Sequence, residues 1–188
     1  MKNKPKVTAI IYVMLLTTNL SFTQNENVFG KPNENAPKEI KDFQQLIGLC
    51  DCKSVQYKSG VAGDTLALKW RWKYILNGNA VQDDGWFDGQ HNQKSFTSIR
   101  ILNPKTKQWQ VPFFVPYMTS EPQIWKGGKN GENIVLRKPE PKQNGEDFES
   151  VLTFSNISNK GFNWTGKKVN LNSKKETVFW KIWCIKEL

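Results

Sequence analysis

The sequence predicts an all-β protein: an antiparallel meander of about eight to ten strands that closes into a barrel, with one short N-terminal helix. Two observations predict it. Apolar and polar residues alternate through a series of segments between residues 49 and 186, and turn-forming residues separate these segments. Helical spacing occurs once, near residue 40. A meander with one apolar face buries that face and removes its exposed edges by closing on itself.

The helical pattern begins at Pro37, a residue suited to the first turn of a helix. Ile40, Phe43 and Leu46 follow at helical spacing, and Gly48 ends the pattern. We therefore expect an amphipathic helix of about two to three turns. The residues around Phe43 are expected to cover the outer side of the last strand.

The clearest strand spans residues 65–77, in which six apolar side chains share one face. Asn77-Gly78 follows, which is a strong hairpin signal. If Asn77-Gly78 is a two-residue loop, Trp72 pairs with Asp83 and Asp83 points inward. A loop one residue longer points Gln82 and Asp84 inward instead.

The other strand-like segments are roughly 49–58, 79–87, 94–102, 107–117, 122–126, 132–138, 147–155, 161–169 and 176–186. Pro112 and Pro116 mark one of these strands as bulged or locally unpaired. In the last strand, Phe179, Trp183 and Ile185 form a second apolar face, which predicts burial on both sides.

The first 23 residues predict a cleaved secretory signal peptide. Three lysines precede an apolar stretch at 7–16, and the small residues Ser21 and Thr23 place the cut before Gln24. We therefore expect a secreted or periplasmic protein. Residues 24–36 are polar and predict a flexible leader, and residues 37–188 predict a single barrel domain.

Composition excludes several classes of protein. The net charge of +10 comes from lysines scattered along the chain, which indicates a solvated surface and no nucleic-acid partner. No apolar run is long enough for a transmembrane helix. One His and three Cys argue against a metal site, and no cofactor is expected. His91 lies in a polar, turn-like segment and is assigned no catalytic or metal role.

The three cysteines lie in a chain predicted to enter a disulfide-permissive compartment. Cys50 and Cys52 share one strand face and are too close in sequence to bridge each other. One bridge between the first and last strands is favoured, as either Cys50–Cys184 or Cys52–Cys184. The remaining thiol would be a small core residue. Three reduced, buried thiols are the alternative.

Inward-facing aromatic residues can fill a small barrel or line a ligand cavity. A cavity is favoured because polar groups enter the apolar face. If Pro104 to Lys107 form a four-residue loop, Arg100 shares the face of Trp109, and its guanidinium needs a partner such as Asp83 or Asp84. The candidate cavity residues are Trp70, Trp72, Tyr74, Asp83, Arg100, Trp109, Phe113 and Trp164.

The leading functional hypothesis is binding of a small apolar or amphipathic ligand in an aromatic-lined cavity, with Arg100 as its polar anchor. A solid-core protein-interaction module comes second. A carbohydrate-binding module would need exposed, coplanar rings at Trp86, Phe87 and Trp125. An enzyme using Arg100 with Asp83 ranks last, and no catalytic residue is assigned. The sequence indicates neither the ligand nor the oligomeric state.

Five segments in order resemble a bacterial lipocalin-like (calycin-type) barrel family of uncharacterised function. They are LIGLCDC, LKWRWKYILNGNAVQDDGWF, SIRILNPKTKQWQVPFF, FESVLTFSNISNKGFNW and VFWKIWCIKEL. The matching positions are Trp70, Tyr74, Gly78, Gln82, Asp83, Arg100, Pro104, Trp109, Phe154, Phe162 and Trp164. The resemblance implies an antiparallel barrel and no particular reaction. The family's usual last-strand Arg is replaced by Cys184 with Lys186, which favours a bridge that closes the barrel.

Overall fold

The computed structural model describes residues 28–88 and 95–187. In this part of the chain, ten strands form one closed antiparallel barrel in which each strand pairs with its neighbours in sequence and the first pairs with the last. The strands are β1 (Gly48–Lys58), β2 (Val61–Ile75), β3 (Ala80–Phe87), β4 (Phe96–Asn103), β5 (Gln108–Phe114), β6 (Gln123–Asn130), β7 (Asn133–Gln143), β8 (Glu146–Ser158), β9 (Gly161–Asn170) and β10 (Glu176–Lys186). The predicted fold class is confirmed. The predicted signal peptide, its cut before Gln24, and His91 lie outside the described residues.

The short helical region lies where the sequence predicts it, but it consists of two 3₁₀ turns, Lys38–Lys41 and Gln44–Leu46. These turns close one end of the barrel. The Phe43 side chain between them is fully buried, stacked on Trp72 with ring centroids 5.9 Å apart and in edge contact with Trp109 at 5.1 Å. Aromatic contacts of this kind stabilise beyond the area they bury. The two turns, hereafter the plug, therefore cover this end of the barrel and insert Ile40, Phe43 and Leu46 into its interior.

This position corrects the prediction for the outer side of the last strand. Trp183 and Ile185 on that side are 41% and 70% exposed, so the region around Phe43 does not cover them. Phe179, which simple alternation places on the same outer side, instead faces the interior. The cause is a register irregularity in β10 between Val178 and Trp180, which breaks the period of two.

The strand registers decide which side chains point inward, and between β2 and β3 the observed register is the first of the two alternatives that the sequence left open. Trp72 pairs with Asp83 across β2 and β3, and Leu102 pairs with Trp109 across β4 and β5. Residues 76–79 connect β2 to β3. Upstream residues lie along this hairpin, where Tyr74 N–H donates to the Phe29 carbonyl at 2.7 Å.

A disulfide joins Cys52 in β1 to Cys184 in β10, with the two Cα atoms 4.1 Å apart. The two cysteines are direct partners in the strand register that closes the barrel. This selects one of the two pairings that the sequence left open. Cys50 is a free, buried thiol, and burial raises its pKa to about 12.

Within residues 28–88 and 95–187, no helix has both the length and the apolar composition needed to cross a bilayer.

Candidate ligand-binding site

The barrel interior has a filled part and an open part. Next to the plug, Phe43, Trp72, Trp109 and Phe154 pack together and are each at most 1% exposed. Beyond this layer lies a cavity of about 130 Å³, hereafter the barrel cavity. Its lining residues are Trp70, Asp83, Phe96, Ser98, Arg100, Val111, Phe113, Trp125, Leu136, Leu152, Phe154, Trp164, Phe179, Trp180 and Ile182.

Two glycines make room for the rings that shape this cavity. A Cβ atom at Gly85 would lie 2.0 Å from the ring of Phe96, its partner across β3 and β4. A Cβ atom at Gly166 would lie 2.5 Å from the Phe179 ring. Each ring therefore occupies the space of a missing side chain on a neighbouring strand, which fixes its position on the wall.

A buried ion pair borders the cavity. Arg100 Nη1 donates to Asp83 Oδ1, and the two side chains are only 3% and 1% exposed. The second Asp83 oxygen accepts a hydrogen bond from Trp70 Nε1 at 2.7 Å. The Arg100 guanidinium also lies 4.2 Å from the centroid of the Trp72 ring, a cation–π contact that is strongest when it is desolvated. Of the two partners that the sequence left open for Arg100, the structure selects Asp83, and Asp84 pairs with Arg71 instead.

Burial lowers the pKa of Arg100, and the adjacent Asp83 carboxylate partly opposes this effect. The two opposite charges leave this side of the cavity with no net charge. The pair accordingly fits a polar but uncharged part of a ligand.

Among the described residues, two buried donors on the cavity wall find no hydrogen-bond partner. They are Arg100 Nε and Trp125 Nε1. A buried donor without an acceptor carries a desolvation cost of about 1–3 kcal/mol. A molecule in the cavity that supplies a carbonyl, hydroxyl or ether oxygen to either group would remove that cost.

Five of the eight predicted cavity residues line the cavity: Trp70, Asp83, Arg100, Phe113 and Trp164. The other three, Trp72, Tyr74 and Trp109, belong to the packed core in the filled part of the barrel and are not among the residues that line the cavity. They pack beneath the cavity and contact the plug. Tyr74 Oη donates to the Ile40 carbonyl at 3.2 Å, and Trp109 Nε1 donates to Asp42 Oδ2 at 3.0 Å. Burial raises the pKa of Tyr74 to about 12.

Sequence reasoning missed five aromatic residues of the wall: Phe96, Trp125, Phe154, Phe179 and Trp180. Phe96 and Trp125 share a face with predicted cavity residues on neighbouring strands, so strand pairing could have identified them. Phe179 could not be identified in this way, because simple alternation places it on the opposite face from Trp180 and the sequence does not reveal the register irregularity in β10.

The carbohydrate-binding alternative requires three exposed rings, and one of them lies in the cavity wall. Trp125 is part of the cavity wall, where its ring meets Phe113 edge-on with centroids 6.2 Å apart. An exposed, coplanar platform with Trp86 and Phe87 is therefore not formed.

Within the described ranges 28–88 and 95–187, no cluster of three or more His, Cys, Asp or Glu side chains is arranged to hold a metal ion.

Comparison with known proteins identifies no family. No family model matches the chain, and no curated protein matches it. Among solved structures, the chain is similar to the S-type phycobiliprotein lyase CPES of Guillardia theta, with a TM-score of 0.47 and 7% identity over 78% of this chain and 90% of that one. Similarity this distant says nothing about function. The barrel implied by the lipocalin-like sequence motifs is confirmed, and membership of that family remains a prediction.

Proposed function

We propose that the protein is an exported, lipocalin-like barrel that binds one small apolar or amphipathic molecule in the barrel cavity. The observation that carries the proposal is an aromatic-lined cavity with two unpartnered buried donors, Arg100 Nε and Trp125 Nε1. An apolar wall stabilises a ligand by removing its surface from water. The donors favour a ligand that also carries an acceptor oxygen.

The volume of the cavity limits the size of the bound group. The cavity of about 130 Å³ is close to an engineered core cavity of about 150 Å³ that accommodates benzene. A single ring or a short alkyl chain therefore fits without rearrangement of the wall. A longer molecule would extend toward the barrel end opposite the plug.

Calorimetric titration with 1-octanol tests the proposal. Its alkyl chain matches the apolar wall and its hydroxyl can accept from an unpartnered donor. We expect saturable binding at one site with a negative heat-capacity change, which is the mark of apolar burial. Leu152 is part of the cavity wall, so the larger side chain of Leu152→Trp should fill the cavity. Octanol binding by this variant is expected to disappear.

The matched control is Thr153→Trp, one residue further along β8 on the opposite face of the strand. This variant adds the same ring outside the barrel and should bind like the wild type. Circular dichroism establishes that both variants are folded. Absence of octanol binding by the wild type, or equal binding by folded Leu152→Trp, would overturn the proposal and favour a solid-core interaction module.

Export is a separate part of the proposal, supported by the basic and apolar N-terminal pattern and compatible with the Cys52–Cys184 disulfide. Intact-mass measurement of the protein from the extracytoplasmic fraction of its own host tests it. We expect a chain that begins at Gln24. A chain that retains residues 1–23 and remains in the cytoplasm would refute export while leaving the cavity proposal intact.

A further inference from the structure

A row of polar side chains enters the barrel directly beyond the cavity. Lys138 pairs with Ser150, and Ser150 pairs with Lys168, so β7, β8 and β9 place these three residues side by side. The next row toward the plug contains Leu136 and Leu152, which line the cavity. Side chains two positions apart on a strand share a face and are about 7 Å apart. Both lysines therefore point inward, one row from the cavity.

One of these lysines is compensated by a carboxylate. Lys138 Nζ lies 2.6 Å from Glu140 Oε1, and the Lys138 side chain is only 13% exposed. Ser150 Oγ donates to the same carboxylate at 2.5 Å. Burial alone would raise the pKa of Glu140, but the hydrogen bonds from Lys138 and Ser150 hold it below its ordinary value. Lys138 also lies 5.3 Å from the centroid of the Trp125 ring, which joins the row to the cavity wall.

The second lysine makes no direct contact with this carboxylate, although its charge also helps to lower the pKa of Glu140. Lys168 Nζ lies 4.5 Å from the centroid of the Phe148 ring, and within residues 28–88 and 95–187 it makes no ion pair and no hydrogen bond. Of the other acids near this end of the strands, Glu176 pairs with Lys167 at 2.6 Å, and Glu146 accepts a hydrogen bond from Asn170 at 2.8 Å. Lys138, Glu140 and Lys168 together leave one surplus positive charge that faces the interior.

We propose that this row, the rim cluster of Lys138, Glu140, Ser150 and Lys168, binds the carboxylate of a small amphipathic acid whose apolar part lies in the barrel cavity. The inference rests on the proposed function and specifies its ligand class. Two inward-facing ammonium groups that share one carboxylate attract a second anion. One surplus charge matches one carboxylate. Arg100 does not provide this site, because Asp83 already balances its charge.

Parallel titrations with octanoate and 1-octanol test the head-group site, because the two probes share an alkyl chain and differ in the charged end. We expect the wild type to bind octanoate about tenfold more tightly than octanol. Lys168→Met keeps the apolar stem and removes the charge. It should reduce octanoate affinity about tenfold and leave octanol affinity unchanged. Lys168→Gln carries the same expectation if methionine perturbs folding.

The matched control is Lys167→Met. Lys167 is adjacent in sequence and on the opposite face of β9, where it pairs with Glu176. This variant should bind both probes like the wild type. If octanol binds but octanoate binds no better, or if Lys168→Met loses nothing, the head-group proposal is overturned and the cavity proposal stands. If neither probe binds to the wild type, the proposed function itself fails.

Discussion

Removal of Arg100 should destabilise the protein far more than removal of a comparable surface arginine. Arg100→Met retains much of the side-chain volume but leaves Asp83, which is 1% exposed, with Trp70 Nε1 as its remaining donor. Breaking a buried ion pair on one side costs about 3–5 kcal/mol, because the other charge stays buried without compensation. We expect a loss of this size in the free energy of unfolding.

Arg137→Met is the internal control. Arg137 pairs with Glu149 between β7 and β8 on the outer face of the barrel, and the two side chains are 54% and 18% exposed. Solvent screens such a pair, so its loss should cost about 1 kcal/mol or less. The predicted difference between the two variants is therefore several kcal/mol, although both substitutions have the same chemistry.

The assay is urea unfolding with linear extrapolation, completed by Asp83→Asn and the Arg100→Met/Asp83→Asn double variant. The double variant removes both charges and leaves neither one buried alone. Its loss in the free energy of unfolding should therefore be smaller than the sum of the two single losses, by about 2 kcal/mol or more. An Arg100→Met loss no larger than that of Arg137→Met, or strictly additive single losses, would refute a desolvated pair beside the cavity.

Three further predictions concern the rest of the molecule. Cys52→Ala/Cys184→Ala should lower the unfolding free energy by about 2–5 kcal/mol, because the bridge closes a loop with a sequence separation of 132 residues; an unchanged urea midpoint would show that the bridge is dispensable. Cys50 should resist iodoacetamide in the native protein and react once urea unfolds it, because burial raises its pKa to about 12; rapid native labelling would contradict its burial. The folded protein lowers the pKa of Glu140 below 4.5, so the stability that its charge contributes is full above that pH and is lost as the pH falls through the folded value. The stability of wild type relative to Glu140→Gln, followed by urea midpoints across this range, should therefore decline below about pH 4.5; a constant difference would argue against the rim hydrogen bonds.

Fold class was predictable and strand register partly so, because local chemistry determines both. Alternation along 65–77 predicts which face of β2 is buried, and the Asn77-Gly78 turn leaves two registers for the residue opposite Trp72. The same reasoning predicts Arg100 inside with Asp83 or Asp84 as its partner, and the observed β2–β3 register selects Asp83. Choosing Cys52 over Cys50 as the partner of Cys184 required the β1–β10 register, which no short turn connects.

The division of the interior into filled and open parts was not predictable from the sequence. Trp72 and Trp109 have the same alternation as Trp70 and Phe113, yet the first two meet Phe43 and the last two face the cavity. The difference depends on how far the plug enters the barrel, a long-range property. The inward lysines of the rim cluster were likewise hidden, because charged residues near a strand end usually indicate solvent exposure.

A crystal structure of the protein at saturating octanoate tests the central claim most directly. The account predicts an alkyl chain inside the barrel, against Trp125 and Trp164, with the carboxylate beside Lys138 and Lys168. An interior that remains closed around its own side chains while octanoate occupies only the outer surface would contradict the account.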